Sequence, residues 1–268
     1  MSTQPDTGVL ARILETKTKE VAALRATGLP QATFSPRPVV RAALERNAGD
    51  KLRLITEIKR RSPSAGVLST ALSPAKRALA YAPFASMISV LCDTSFFDGA
   101  FAHLGQVRRA LEASRYATPL LAKEFVIDPL QLEAAARQGA DAVLLIARIV
   151  SRSDLATLCR RARGLGLEPF VEVMSETELD AALAAHAEVI GVNARDLDSL
   201  AMDADHAANV LRAIPSSKVA VYLSGIKTAA DVVRVSGTNA HAALVGEVLM
   251  RQDDPRLLLA ELAAASGT

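Results

Sequence analysis

DAVLLIARIVSRSDLATLCRRARGLGLEPFVEV, residues 141–173, holds two short apolar runs, DAVLLI from Asp141 and PFVEV from Pro169, on either side of a turn and a longer segment studded with Arg, Ala and Leu. A strand buried on both faces reads as a continuous apolar run, and the charged segment between reads as a helix. The same alternation spreads outward in both directions. Upstream it gives LRLITEI from Leu52, MISVL from Met87 and PLLAK from Pro119; downstream it gives EVIGV from Glu188, KVAVYL from Lys218 and HAALVG from His241. Successive runs start about 20 to 35 residues apart, the length of a strand, a helix and two short loops. Eight βα units are the number at which a parallel sheet closes, so the pattern predicts an α/β chain folded as a (β/α)8 TIM barrel. An open doubly wound sheet is the alternative. It would favour GxGxxG after its first strand, where this chain reads RSPSAG.

Barrel topology turns this reading into a prediction about chemistry. Active sites of the fold lie at the C-terminal ends of the strands, so residues closing each run converge on one mouth. Three charged strings do so: Glu57-Ile58-Lys59, Lys123-Glu124-Phe125 and Val171-Glu172-Val173. Strand alternation puts Glu57 and Lys59, two apart, on the same inward side. Cys92 and Asp93, Asn193 and Arg195, Ser224 and Gly225, and Gly246 and Glu247 close other runs, whereas His186 and His241 precede or open strands and belong to the stability face. Lysines and glutamates around one mouth are suited to general acid and base work, because burial and mutual charge move their proton affinities apart. A structural ion-pair network at the rim is the plainer alternative for any single member. Gly225 and Gly246 close the seventh and eighth units, where many barrels bind phosphate through backbone N–H groups, although each glycine alone is an ordinary turn residue. Phe96, Phe97 and Phe125 follow the second and third strands and offer a wall for an aromatic substrate, or simple core packing. Cys92 has no predicted histidine neighbour and reads as a small buried residue. Thr228, with Asp231 three residues on, reads as a helix cap.

Ahead of the first strand, Val9, Leu10, Ile13, Leu14, Val21 and Leu24 recur at helical spacing, predicting an amphipathic helix from about Thr7 to Arg25, stopped by Gly28 and Pro30. Lys17 interrupts its apolar stripe and is expected to carry its charge out to water along the helix edge, with a contact to whatever the helix covers as the alternative. A turn-rich connection through Pro36 and Pro38 leads to a short helix from Val39 to Arg46. The domain reading is an N-terminal helical extension, residues 1–48, packed over the mouth of a catalytic barrel, residues 49–268.

Composition removes several classes of function. With 31 basic and 29 acidic residues, a net charge of +2, 4% aromatics and no Trp, the chain lacks the concentrated basic surface and stacking rings of a nucleic-acid binder. No apolar stretch reaches the roughly 20 residues of a membrane span. The first residues are polar and include Asp6 rather than the apolar core of a signal peptide, and Cys92 and Cys159 form the one possible disulfide, so a reducing cytoplasmic location is expected. Four scattered histidines show no metal-ligand spacing, and no metal is expected.

LITEIKRRSPSAGVL, ISVLCDTSFFDGAFAHL, PLLAKEFVIDPLQLEAAARQGADAVLLIARIV, FVEV, IGVNARDL, SGI and LVGEVLM resemble, in order and spacing, the motifs of the indole-3-glycerol phosphate synthase family of tryptophan biosynthesis. The likeness covers nearly the whole chain and includes the first helix, ILETKTKEVAAL, which in that family lies over the barrel mouth. It implies a carboxy-lyase that closes the indole ring of 1-(2-carboxyphenylamino)-1-deoxyribulose 5-phosphate with loss of carbon dioxide and water. By the same resemblance Lys123 is the general acid and Glu172 the general base or iminium stabiliser. Lys59 binds the substrate carboxylate and assists dehydration, and Glu57 orients and balances the lysines. Asn193 is a polar positioning residue, and Arg195 matches the arginine of an NxR motif. Ser62, Ser224, Gly225, Gly246 and Glu247 align around the phosphate and glycerol portion, with the backbone N–H of Glu247 mattering more than its carboxylate. Phe97, Phe125, Leu144 and Ile146 align with the pocket for the anthranilate ring. The resemblance implies no cofactor, a small phosphorylated substrate as the partner, no nucleic acid or membrane, and a monomer or weak homo-oligomer.

The chain departs from the family pattern at Leu223-Ser224-Gly225, where the family usually reads Glu-Ser-Gly, and in smaller ways at Ala65 and Val248. A missing carboxylate leaves Lys59 and Lys123 with less anionic compensation. That raises a second reading, an impaired or repurposed paralogue that binds the phosphorylated ligand with weak turnover. A third, a phosphoribosyl isomerase, calls for an Asp or Cys acid–base pair at the first and fifth strand ends, where this chain has Glu57-Ile58-Lys59 and Glu172.

Overall fold

Each of the eight apolar runs forms a strand: β1 Arg53–Ile58, β2 Met87–Leu91, β3 Leu120–Lys123, β4 Ala142–Ile146, β5 Glu168–Val173, β6 Val189–Asn193, β7 Val219–Leu223 and β8 Ala242–Val245. The computed structural model describes residues 8–31, 34–37, 39–47, 49–63, 65–196, 199 and 201–267. Thr7 of the expected first helix, Pro38 of the connection and Ser64 of the SPS motif lie outside the described residues. Every strand pairs in parallel with its neighbours in sequence, and β1 closes the ring against β8, with Arg53 opposite Ala242 and Ile55 opposite Met87 of β2. The result is a closed eight-stranded (β/α)8 barrel, as the run pattern predicts.

Helices α1 Val9–Thr27 and α2 Val40–Leu44 precede the barrel. After β1 through β7 come α3 Pro74–Tyr81, α4 Phe101–Ala113, α5 Pro129–Arg137, α6 Arg152–Gly164, α7 Glu176–Ala184, α8 Ala204–Ala213 and α9 Ala229–Ser236, and α10 Glu247–Met250 and α11 Arg256–Ala265 follow β8. Local sequence starts most of them. Ser73, Asp128, Ser151, Ser175, Asp203 and Thr228 each accept a hydrogen bond from a first-turn backbone N–H, satisfying donors that a helix start leaves open. Thr228 and Asp231 form the expected reciprocal capping box. At the end of α1, Gly28 turns the chain with φ 85° while its N–H bonds to Leu24 O at 3.0 Å.

Alternation along the strands divides the core into two layers. Leu54, Val90, Leu120, Val171 and Val245 face the helices, while Ile55, Met87, Leu121, Phe170, Val189, Val221 and Leu244 fill the barrel interior. The segments before β1 close that interior at both ends. Leu10 and Ile13 of α1 pack onto it at the C-terminal mouth, whereas Val40 and Leu44 of α2 cover it at the opposite end. Arg41, on α2, reaches Glu188 Oε2 at 2.9 Å and the Ser217 carbonyl at 3.2 Å, both just ahead of strands. Between the two helices Arg37 is pinned to the buried Asp141 through its backbone N–H and its guanidinium, and Arg108 joins the same carboxylate from α4. The expected helix over the mouth is therefore α1, and the short second helix plugs the stability face. A two-stranded hairpin, Arg61–Ser62 with Gly66–Val67, adds a feature in the loop after β1 that periodicity does not reveal.

Candidate active site

The inward positions at the strand ends put ionisable groups where the apolar interior stops. Ile55 points into the barrel, so Glu57 and then Lys59 point the same way one and two steps nearer the mouth. Lys59 Nζ lies 2.6 Å from Glu57 Oε1. Lys123, at the end of β3, lies 3.9 Å from Glu57 Oε2 and 3.7 Å from Glu172 Oε2, standing between two buried carboxylates without a close hydrogen bond to either. Burial alone would raise the pKa of Glu57, but the charges of Lys59 and Lys123, with the Lys59 hydrogen bond, outweigh it and hold the carboxyl below its ordinary range.

Asn193, at the end of β6, is fixed on both sides of its amide. Its Nδ2 donates to Glu172 Oε1 at 2.8 Å, and its Oδ1 accepts from Ser224 Oγ at 2.8 Å and from the Arg195 backbone N–H at 3.0 Å. One side chain thus ties the end of β5 to the turn after β7. That turn carries two successive left-handed residues, Ser224 at φ 70° and Gly225 at φ 80°, of which only the glycine adopts the conformation without strain. Gly246 has a different reason to lack a side chain: a Cβ there would stand 2.5 Å from Glu57 Oε1. Its smallness gives the Glu57 carboxylate its place beside Lys59.

These groups line one cavity that opens to solvent. Lys59, Lys123, Glu57, Glu172 and Asn193 all reach it. So do Ser62, Phe97, Phe125, Leu144, Ile146, Arg195, Ser224, Gly225, Gly246 and Glu247. Phe97 and Phe125 stand with ring centroids 6.0 Å apart and form an apolar side with Leu144 and Ile146. The carboxylate of Glu247 is turned to Arg251 at 2.9 Å. Among the residues expected at the mouth, Cys92, Asp93 and Phe96 do not line the cavity. Cys92 is buried, its thiol pushed well up by burial and by the Glu124 charge, in keeping with an inert packing role. Glu124, Lys227 and three residues of α1, Val9, Leu10 and Ile13, line the cavity as well, without having been singled out as site residues. Glu124 sits inside a charged string that pointed to the site, yet only tertiary packing shows which of its members face inward. Among the described residues, no group of three His, Cys, Asp or Glu side chains is arranged to hold a metal ion.

Lys17 overturns the expectation that its charge runs to water: its side chain is 0% exposed. Helix α1 lies flat on the mouth, and the barrel supplies carboxylates directly beneath it. Nζ stands 2.6 Å from Asp93 Oδ2, 2.9 Å from Glu124 Oε1 and 2.6 Å from Glu20 Oε2. Burial opposes its charge, but three acidic neighbours raise its pKa. One positive charge does not balance three carboxylates, and burial, together with nearby Asp93, raises Glu124 to about 7 against the pull of Lys17.

Leu223, the departure from the family pattern, is buried in the interior layer and also lines the cavity. Its side chain and that of Phe170 occupy the space a Cβ on Gly191 would need, 2.7 and 2.5 Å away. This part of the cavity wall is apolar, and Glu57 and Glu172 are the carboxylates that face Lys123.

Residues 10–262 match the family model described as indole-3-glycerol phosphate synthase. A protein of Opitutus terrae named indole-3-glycerol phosphate synthase is 40% identical over 261 residues, covering 95% of this chain and 98% of its own length. One of the same name from Shouchella clausii is 38% identical over 260 residues, with 96% and 98% covered. Solved structures share the barrel at low identity. Salmonella typhimurium 3-hexulose-6-phosphate synthase aligns with a TM-score of 0.63 at 14% identity, covering 80% of this chain and 98% of its own. The tryptophan synthase alpha subunit of Legionella pneumophila gives 0.60 at 16%, with 84% and 97% covered. At such identities the structures speak to fold alone. The family model and the relatives span almost the whole chain, and the chain belongs to the indole-3-glycerol phosphate synthase family.

Proposed function

We propose that this chain is an indole-3-glycerol phosphate synthase, a carboxy-lyase acting on 1-(2-carboxyphenylamino)-1-deoxyribulose 5-phosphate. Family membership supports the reaction, and one observation supports this site for it: Lys59, Lys123, Glu57, Glu172 and Asn193 converge on a cavity with an aromatic side and a glycine-turn side. Phe97 and Phe125, from units two and three, suit the anthranilate ring. Ser224-Gly225 and Gly246-Glu247, from units seven and eight, suit the phosphate, with Ser62, Arg195 and Lys227 nearby.

In this proposal Lys123 donates a proton to the ketone oxygen as the aromatic carbon attacks the carbonyl carbon, so no alkoxide accumulates. Its distances of 3.7 and 3.9 Å from the two carboxylates leave its protons able to reach a substrate oxygen. Carbon dioxide then departs from the ring carbon that formed the new bond, its bonding electrons neutralising the iminium. Lys59 first holds that carboxylate and later protonates the departing hydroxyl, which leaves as water. Glu172, oriented by Asn193, takes the proton from the methylene carbon beside the nitrogen as the hydroxyl leaves, which completes the indole. Glu57 orients both lysines and balances their charge. The N-terminal residues 1–48 serve as an extension to this catalytic barrel, residues 49–268, with α1 shielding the mouth.

The test is growth of indole-glycerol phosphate fluorescence from the ribulose substrate, together with rescue of a tryptophan auxotroph lacking this step. Purified, folded protein that produces no such fluorescence would end this reading. The apolar Leu223 in the cavity wall favours a second one, a paralogue that binds the phosphorylated ligand and turns it over weakly. Tight ligand binding with negligible turnover would select it.

A further inference from the structure

We propose that Lys17 is a positioning residue: its ammonium, clasped between Asp93 and Glu124 beneath α1, couples the helix over the mouth to the aromatic side of the cavity and to the strand end bearing Lys123. The inference rests on the synthase reading for what is being positioned, and on the geometry for the coupling.

Taking an ammonium fully out of water is costly, and a buried ion cluster is often no more stabilising than apolar side chains of the same shape. Stability alone is therefore a poor reason for Lys17 to be where it is. Its partners suggest another. Asp93 Oδ1 accepts from the backbone N–H groups of Phe96 at 2.6 Å and Phe97 at 2.9 Å, while Oδ2 meets Lys17. Glu124 Oε1 accepts from the Phe125 N–H at 2.7 Å and meets Lys17 with the same oxygen. The two carboxylates that hold the ammonium thus also hold the amides of the two ring-bearing residues in the cavity wall, Phe97 and Phe125. Glu20, the third carboxylate, takes a hydrogen bond from Ser95 Oγ at 2.7 Å, tying α1 to the same loop. Without the ammonium, Asp93 loses the cation beside its buried carboxylate and Glu124 is pushed further toward its protonated form, so the clasp that fixes the Phe97 loop and the residue after Lys123 is gone.

The experiment uses the full chain, as Lys17→Met and as Lys17→Met with Glu124→Gln. The second change keeps an acceptor for the Phe125 N–H and removes the ionisable carboxyl left without its ammonium, so that the double variant folds if the single one does not. Kinetics of ring closure are measured beside amide hydrogen exchange of segments containing Phe96, Phe97 and Phe125. The expected result is a KM raised about tenfold or more, a smaller fall in kcat, and exchange about tenfold faster at those segments. A purely structural lysine would lower the unfolding midpoint and leave the KM of folded protein where it was. An active wild type whose folded double variant keeps its KM, whatever its exchange, overturns the proposal and leaves the synthase reading intact. An inactive wild type removes the synthase reading, and exchange then decides the coupling alone: faster exchange in the variant upholds it, unchanged exchange overturns it.

Discussion

Replacing Lys123 with Met keeps the length and apolar stem of the side chain and deletes the ammonium that stands 3.9 Å from Glu57 Oε2 and 3.7 Å from Glu172 Oε2. Loss of a positioned general acid costs about 10²–10⁴-fold in turnover, or about 3–5 kcal/mol of barrier. The stability cost is smaller. A unit charge pair at 4 Å is worth about 4 kcal/mol at an effective dielectric of 20, before desolvation is subtracted. Here Glu57 retains Lys59 and Glu172 retains Asn193, and Lys123 is 20% exposed. A net loss of about 1–3 kcal/mol, between the exposed and buried limits for ion pairs, is expected. A domain with about 5–15 kcal/mol to lose stays folded. The pH dependence has a definite sign. Glu57 is held below its unfolded value of 4.5, so it adds stability above about pH 4.5 that is lost as pH falls through the lower folded value. Without Lys123 that folded value moves up toward 4.5, so variant and wild type differ at neutral pH and converge in acid. The assays are steady-state ring closure followed by product fluorescence, and denaturant unfolding at neutral and acid pH. A fall in kcat below about tenfold, or equal changes in kcat and KM, would refute the assignment of Lys123 as the acid, because proton donation is felt mainly in the transition state.

Gly246→Ala places a Cβ 2.5 Å from the present position of Glu57 Oε1, so the carboxylate must leave Lys59. Activity should fall to within about threefold of Glu57→Gln, and wild-type rates in the alanine variant would show that the glycine serves only the backbone. Between its unfolded value of 4.5 and about 7, Glu124 binds a proton in the folded chain that the unfolded chain has released, so it makes stability decline as pH rises through that window. Glu124→Gln should flatten the slope of unfolding free energy over that range, and an unaltered slope by denaturant titration would count against the buried, protonated carboxyl. Leu223→Glu distinguishes full activity from impairment: a gain in turnover of more than about tenfold, roughly 1.4 kcal/mol of barrier, supports impairment, and no gain counts against it.

The fold was legible because a parallel strand covered on both faces must be apolar throughout, and eight such runs at βα spacing leave few ways to close. The site was legible for a related reason: Glu57, Lys123 and Glu172 break the rule of apolar strands only where strands end, at the one face of a barrel open to a ligand. Gly246 was noticed but for another purpose. Nothing in its local sequence says that a carboxylate from β1 will fill the space over it, since β1 and β8 become neighbours only when the ring closes.

Lys17 marks the boundary between the two kinds of knowledge. Periodicity along α1 correctly identified the buried face on which it lies, and the ordinary behaviour of a lysine there is to reach for solvent. Whether it does so depends on what covers that face, and Asp93 and Glu124 lie 76 and 107 residues further along the chain. Sequence alone, through period and strand-end chemistry, determined the barrel, its mouth and the charged strand-end residues Glu57, Lys59, Lys123 and Glu172 gathered there. The tertiary structure alone decided that α1 and α2 close opposite ends, that Asn193 orients Glu172, and that a buried ammonium finds its carboxylates. Those outcomes turn on distances between remote segments, which a one-dimensional pattern does not carry.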